Sequence, residues 1–130
     1  MELLKIRGNW KNPSISFNPN GKLQIWGRSL PENALDTYKP IFTWLENYKK
    51  TPADKTEIDF KLEYFNTTSS KLIYEIFKKF EDLKSDGNNL HVKWHYESDD
   101  PDMEEEGKLL SNIIKVEIEL IGVEEFDFSY

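Results

Sequence analysis

Between residues 57 and 64 the chain alternates without a break. Ile58, Phe60, Leu62 and Tyr64 are apolar, while Glu57, Asp59, Lys61 and Glu63 are charged. Successive side chains of a strand point to opposite faces, so this run predicts a strand with one face buried and one in water. The next residues keep a different period. Leu72, Ile73, Ile76, Phe77, Phe80 and Leu83 recur at the spacing of a single helix face, which predicts a helix over about 68–84. Leu90 to Tyr96 alternate again, Met103, Gly107, Leu110 and Ile114 return to helical spacing, and Ile114, Val116, Ile118 and Leu120 alternate once more. Strand–helix–strand units join parallel strands. Parallel strands covered on both faces read as continuous apolar runs, and these do not. The helices must therefore cover one face only, with the other face largely wet. The expected fold is an α/β two-layer sandwich with a mixed, mostly parallel sheet.

The N-terminal third reads as β structure. Leu3 to Ile6 suit a short strand. Ile15 and Phe17 pair with Leu23 to Trp26 across the turn Asn18-Pro19-Asn20-Gly21, which predicts a hairpin. Residues 34–50 carry Leu35, Tyr38, Ile41, Phe42, Leu45 and Tyr48 at helical spacing. Pro40 interrupts them, so the regular helix is expected to start near Asp36 to Lys39, or to be led in by a short turn. Asp100 and Pro101 mark the start of the third helix, and Asp86-Gly87-Asn88-Asn89 the end of the second. The acidic, aromatic tail from Gly122 to Tyr130 matches no element. Without repeats or a flexible linker, residues 1–130 form a single domain.

Charge and chemistry narrow the function. The net charge is −7, which repels a phosphate backbone and argues against nucleic acid as a partner. No apolar run approaches the ~20 residues of a membrane span, and no leader-like segment opens the chain, so a cytoplasmic protein without a membrane partner is expected. The sequence has no cysteine, which removes thiol catalysis and thiolate metal sites. His91 and His95 share one side of their strand, but residues four apart on a strand lie ~13 Å apart, too far to share one ion. No metal, cofactor or catalytic residue is expected. The glycine-rich phosphate loops of nucleotide-binding folds are missing as well.

One stretch remains. Asn66-Thr67-Thr68-Ser69-Ser70-Lys71 stands where the central strand ends and its helix begins. A helix N-terminus has unpaired N–H groups and the positive end of the dipole, so it favours an anion. Capping by Thr67 or Thr68 would account for one hydroxyl. It leaves the others unexplained.

Leu30-Pro31-Glu32-Asn33, Tyr64-Phe65-Asn66-Thr67-Thr68-Ser69 and Lys93-Trp94-His95-Tyr96 occur together in this order in one family. From about Trp10 to Gly107 the chain resembles the SiaC family of bacterial regulatory phosphoproteins, small domains with a fold like the STAS domains of anti-anti-sigma factors. The resemblance implies partner switching. A protein kinase phosphorylates a threonine, a PP2C-type phosphatase removes the phosphate, and the unphosphorylated form binds a target, in the best-known branch a diguanylate cyclase controlling cyclic-di-GMP and biofilm formation. The modified threonine follows the motif asparagine, which implies Thr67 here. Thr68, where the family has serine, is the second candidate. Asn66, Thr68, Ser69, Ser70 and Lys71 are the expected docking residues around it. Pro31, Glu32 and Asn33 are a second docking candidate, or a rigid turn in which Asn33 caps a helix. The competing function is a scaffold of the same fold that is never phosphorylated.

Overall fold

The computed structural model describes residues 1–128. In chain order its elements are β1 (Leu4–Ile6), β2 (Ser14–Phe17), β3 (Lys22–Ser29), α1 (Ala34–Tyr48), β4 (Lys55–Phe65), α2 (Thr67–Ser85), β5 (Asn89–Glu97), α3 (Pro101–Ile113) and β6 (Ile118–Val123). The strands form one six-stranded sheet whose spatial order is the chain order. β1, β2 and β3 pair antiparallel, and β3 to β6 run parallel. Right-handed crossovers between successive neighbours place every helix on the same face, since only a reversal of strand order would send one to the other side. The expected two-layer sandwich is the observed one.

The core fills the space between the layers. Ile15, Phe17, Leu23, Ile25, Ile58, Phe60, Leu62, Val92 and Trp94 project from the sheet onto Tyr38, Ile41, Leu45, Ile73, Ile76, Phe77 and Phe80 of α1 and α2, all of them buried. Phe60 stacks on Trp94 at 5.4 Å between ring centres. α3 approaches the sheet closely through Gly107, where an added Cβ would lie 2.7 Å from both Trp94 and Leu120 side-chain atoms.

The structure corrects the sequence reading in four places. The helix with Pro40 starts at Ala34 and runs straight through the proline. Losing that N–H costs roughly 3 kcal/mol, but each large side chain buried on the same helix returns about 1.5–3 kcal/mol. The helix buries Tyr38, Ile41, Trp44, Leu45 and Tyr48, so the buried face wins. In β4 the alternation breaks after Leu62. The β3–β4 register slips at Gly27, whose φ of +106° suits glycine, so that Arg28 pairs with Tyr64 and Glu63 is the extra residue. Tyr64 is thereby turned outward, 53% exposed. Phe65 takes the inward place and meets Trp94 edge-on at 6.2 Å. The last strand begins only at Ile118, while Ile114 caps α3. Finally, the face opposite the helices is polar but partly covered. His95 Nε2 lies 2.9 Å from Asp59 Oδ1, and their side chains are only 14% and 12% exposed. Phe126 and Phe128 of the tail line a cleft there with Trp26 and Lys61, and the Phe126 N–H donates to Glu97 Oε2 at 3.1 Å. Tyr130, the end of the tail, lies outside the described residues.

Candidate functional site

The strand-to-helix junction is built around Asn66. Its backbone is extended, and its Oδ1 accepts the Ser69 N–H at 2.9 Å, so Asn66 caps α2 rather than Thr67 or Thr68. Its carbonyl accepts the first intrahelical bond, from Ser70 at 2.9 Å. Thr67 and Thr68 thus occupy the first two helical positions. Both are exposed, as is Lys71 one turn on, while Asn66 and Ser70 are half-buried.

Ser69 points the other way. It is fully buried, as is Ser29 at the end of β3. Ser69 Oγ donates to the Ser29 carbonyl at 3.2 Å and accepts from Ser29 Oγ at 2.8 Å. Ser29 Oγ has then spent its proton, so the Tyr38 hydroxyl, 2.5 Å away, must donate to it. The result is a closed run of donors: Tyr38 to Ser29, Ser29 to Ser69, and Ser69 back to the Ser29 carbonyl. That carbonyl also accepts the Asn66 N–H at 3.0 Å. Burial raises the Tyr38 phenol above its ordinary pKa, against the smaller opposing pull of the bonds with Ser29 and Ser69, so it stays a neutral donor. Strand β3, α1 and the first turn of α2 are locked together directly beneath Thr67.

Two expected docking residues are therefore withdrawn. Ser69 belongs to this buried run, and Pro31 is buried where the chain leaves β3 for α1. Their neighbours remain outside. Glu32 and Asn33 are exposed, and Asn33 caps α1 by accepting the Asp36 N–H at 3.2 Å. Three residues separate Ser29 from Asn33, so this loop lies beside the α2 terminus at the carboxyl end of the parallel strands.

Sequence reasoning missed the apolar part of this rim. Trp10, Leu35 and Tyr64 are 62%, 69% and 53% exposed. The Trp10–Lys11 segment reaches the rim through the Leu30 N–H, which donates to the Lys11 carbonyl at 2.6 Å, and Lys11 Nζ stands 3.7 Å from Glu32. Tyr64 joins it by the register slip. The glycine at 27, in a run otherwise suited to a strand, was the available signal for that slip.

Among the bonds described, the rim's hydroxyls meet other hydroxyls and backbone groups. The rim offers an exposed hydroxyl pair on a rigid helix end, ringed by apolar and charged groups. No helix among the described residues is long and apolar enough to cross a membrane.

Comparisons with known proteins identify the fold and the family. The chain superposes on apo-SiaC from Pseudomonas aeruginosa with a TM-score of 0.87, at 24% identity, covering 94% of this chain and 100% of that one. A second structure, SiaC in complex with the diguanylate cyclase SiaD, of which it is described as the activator, gives a TM-score of 0.86 at 24% identity, covering 92% and 99%. An uncharacterised protein of Pseudomonas aeruginosa strain UCBPP-PA14 is 30% identical over 98 residues, 75% of this chain and 78% of that protein. The family model for SiaC family regulatory phosphoproteins matches residues 6–123. The chain belongs to the SiaC family of regulatory phosphoproteins.

Proposed function

We propose that this chain is the phosphorylated switch of a partner-switching system. A protein kinase phosphorylates Thr67, a PP2C-type phosphatase reverses it, and the unphosphorylated form binds and regulates a diguanylate cyclase. The observation that carries this reading is the contrast within one helical turn. Thr67 and Thr68 are exposed while Ser69 is buried and hydrogen-bonded, so only the outward hydroxyls are open to a modifying enzyme. Thr67 is preferred because it stands first in the helix, nearest the positive end of the dipole. A phosphate there adds about −1.5 to −2 charges, and the helix end offsets about 0.3–1 kcal/mol of its cost. The anchored first turn does not need to refold to accept it. The effect falls on the surface: a neutral hydroxyl patch becomes an anion that a partner without a matching cation is reluctant to bury.

Incubation with the cognate kinase and ATP, followed by peptide mass spectrometry, should place one phosphate on Thr67 and none on a Thr67→Ala chain. No phosphate anywhere from Thr67 to Ser70 would favour the unphosphorylated scaffold instead. Thr67→Asp should weaken cyclase binding at unchanged melting temperature.

A further inference from the structure

The buried run beneath α2 also fixes how far that helix is turned about its own axis. Ser69 is gripped at both ends. Its N–H donates to Asn66 Oδ1 at 2.9 Å, while its hydroxyl lies 2.8 Å from Ser29 Oγ and 3.2 Å from the Ser29 carbonyl. Ser29 is held in turn by the Tyr38 hydroxyl at 2.5 Å, and Ser29, Tyr38 and Ser69 are all fully buried. A helix advances about 100° per residue. With Ser69 pinned inward, Thr67 lies about 200° away, on the outward side, and Thr68 about 100° away, on the flank. Ser70 falls on the opposite flank and is half-buried. Of the four consecutive hydroxyls, Thr67 therefore faces most directly outward.

We propose that Ser29, Tyr38 and Ser69 are positioning residues that select Thr67 as the phosphorylated hydroxyl, a reading that rests on the function proposed above. In the transfer, Thr67 Oγ1 attacks the γ-phosphorus of ATP and the bond from that phosphorus to the β–γ bridging oxygen breaks. ADP leaves, and the hydroxyl proton passes to a base of the kinase. The attacking and leaving oxygens must stand roughly in line, and misplacement by about 1 Å can cost about a hundredfold in rate. The three residues act from beneath, by setting where Thr67 Oγ1 stands. A rotation of about 100° would carry Thr68 to the place of Thr67 and bring Ser69 round to the flank. The run opposes that rotation. Tyr38 supplies the proton that Ser29 Oγ accepts, so Ser29 is committed to donate to Ser69. Turning Ser69 away leaves the Ser29 hydroxyl buried without its acceptor, which is costly. The same contacts withhold Ser69 itself from modification.

The test uses the full-length chain, its cognate kinase and ATP, at a temperature where the variants compared are folded. Initial rates are measured, and the phosphate is placed by fragmentation mass spectrometry. In the parent, phosphate is expected on Thr67 alone. Ser69→Ala and Ser29→Ala are each expected to lower kcat about tenfold with KM little changed, and Ser29→Ala to move a measurable share of phosphate onto Thr68 or Ser69. Tyr38→Phe keeps the ring and removes only the donor, so a smaller shift in the same direction is expected; it carries the test where the serine variants do not fold. Leu83→Ala is the control. It removes a buried side chain at the far end of α2 and lowers stability without touching the first turn, so site and rate should stay those of the parent. If Leu83→Ala loses as much as the others, the effect is mere destabilisation and the proposal falls. It falls also if Thr67 stays the sole site in all three variants at a kcat within about twofold of the parent, although the switch on Thr67 then stands. A parent phosphorylated on Thr68 overturns the selection but not the switch. A parent that takes no phosphate overturns both.

Discussion

The two flanks of α2 are built on opposite terms. On the α1 side, Tyr38, Ser29 and Ser69 form a dry, fully hydrogen-bonded run under tight helix packing. On the α3 side the same helix borders a gap lined by half-exposed aliphatic groups. Buried polar groups that are all satisfied fix one arrangement and penalise any other. Open apolar surface imposes no such choice. One helix is thus held rigidly on one side and left open on the other.

Substitutions on the closed flank should cost stability, and those on the open flank should not. The largest loss is expected for Tyr38→Ala, which removes a fully buried ring and the donor at the head of the run: about 3–5 kcal/mol in chemical denaturation. A smaller loss would mean that the flank can collapse around the vacancy. Next comes Ser69→Ala, expected to cost about 1–3 kcal/mol because Ser29 Oγ is left without its acceptor. Thr68→Ala, one residue away but exposed, should stay within about 0.5 kcal/mol of the parent. Equal costs for the two would erase the inside–outside distinction on which the switch depends. Titration gives a further check. The folded Tyr38 phenol ionises above its unfolded value of about 10, so its contribution is complete at lower pH and is lost as pH rises through that range. Tyr96, raised chiefly by its hydrogen bond to Glu104, acts in the same direction. Tyr38→Phe should therefore reduce, without abolishing, the decline in stability measured above pH ~10. Leu109→Ser, exposed on the open flank, should likewise change stability by no more than about 0.5 kcal/mol.

The architecture was legible because it follows from local periodicity. Polar residues alternating with apolar ones through residues 57–64 and 90–96 leave no room for a second helical layer, and that inference needs no knowledge of pairing. What escaped depends on contacts distant in sequence. Whether Tyr64 or Phe65 turns inward is decided by the slip against Gly27, thirty-seven residues from Tyr64, which strand alternation alone does not encode. Ser69 read as a docking hydroxyl because four hydroxyls in a row look alike; only the arrival of Ser29 and Tyr38 from other elements separates it from Thr67 and Thr68. Pro31 was hidden in the same manner, beneath the turn it creates. The exposed pair Leu109 and Ile113 satisfies helical spacing, and nothing local shows that the neighbouring helix stops short of it.

The strands lie side by side in the order in which they are synthesised. Each one docks onto a template already complete on its N-terminal side, and none has to be inserted between two earlier strands. Growth can therefore proceed outward from one edge while the ribosome is still elongating the chain. The domain can thus be completed strand by strand from its N-terminal edge, with the parallel part of the sheet added last.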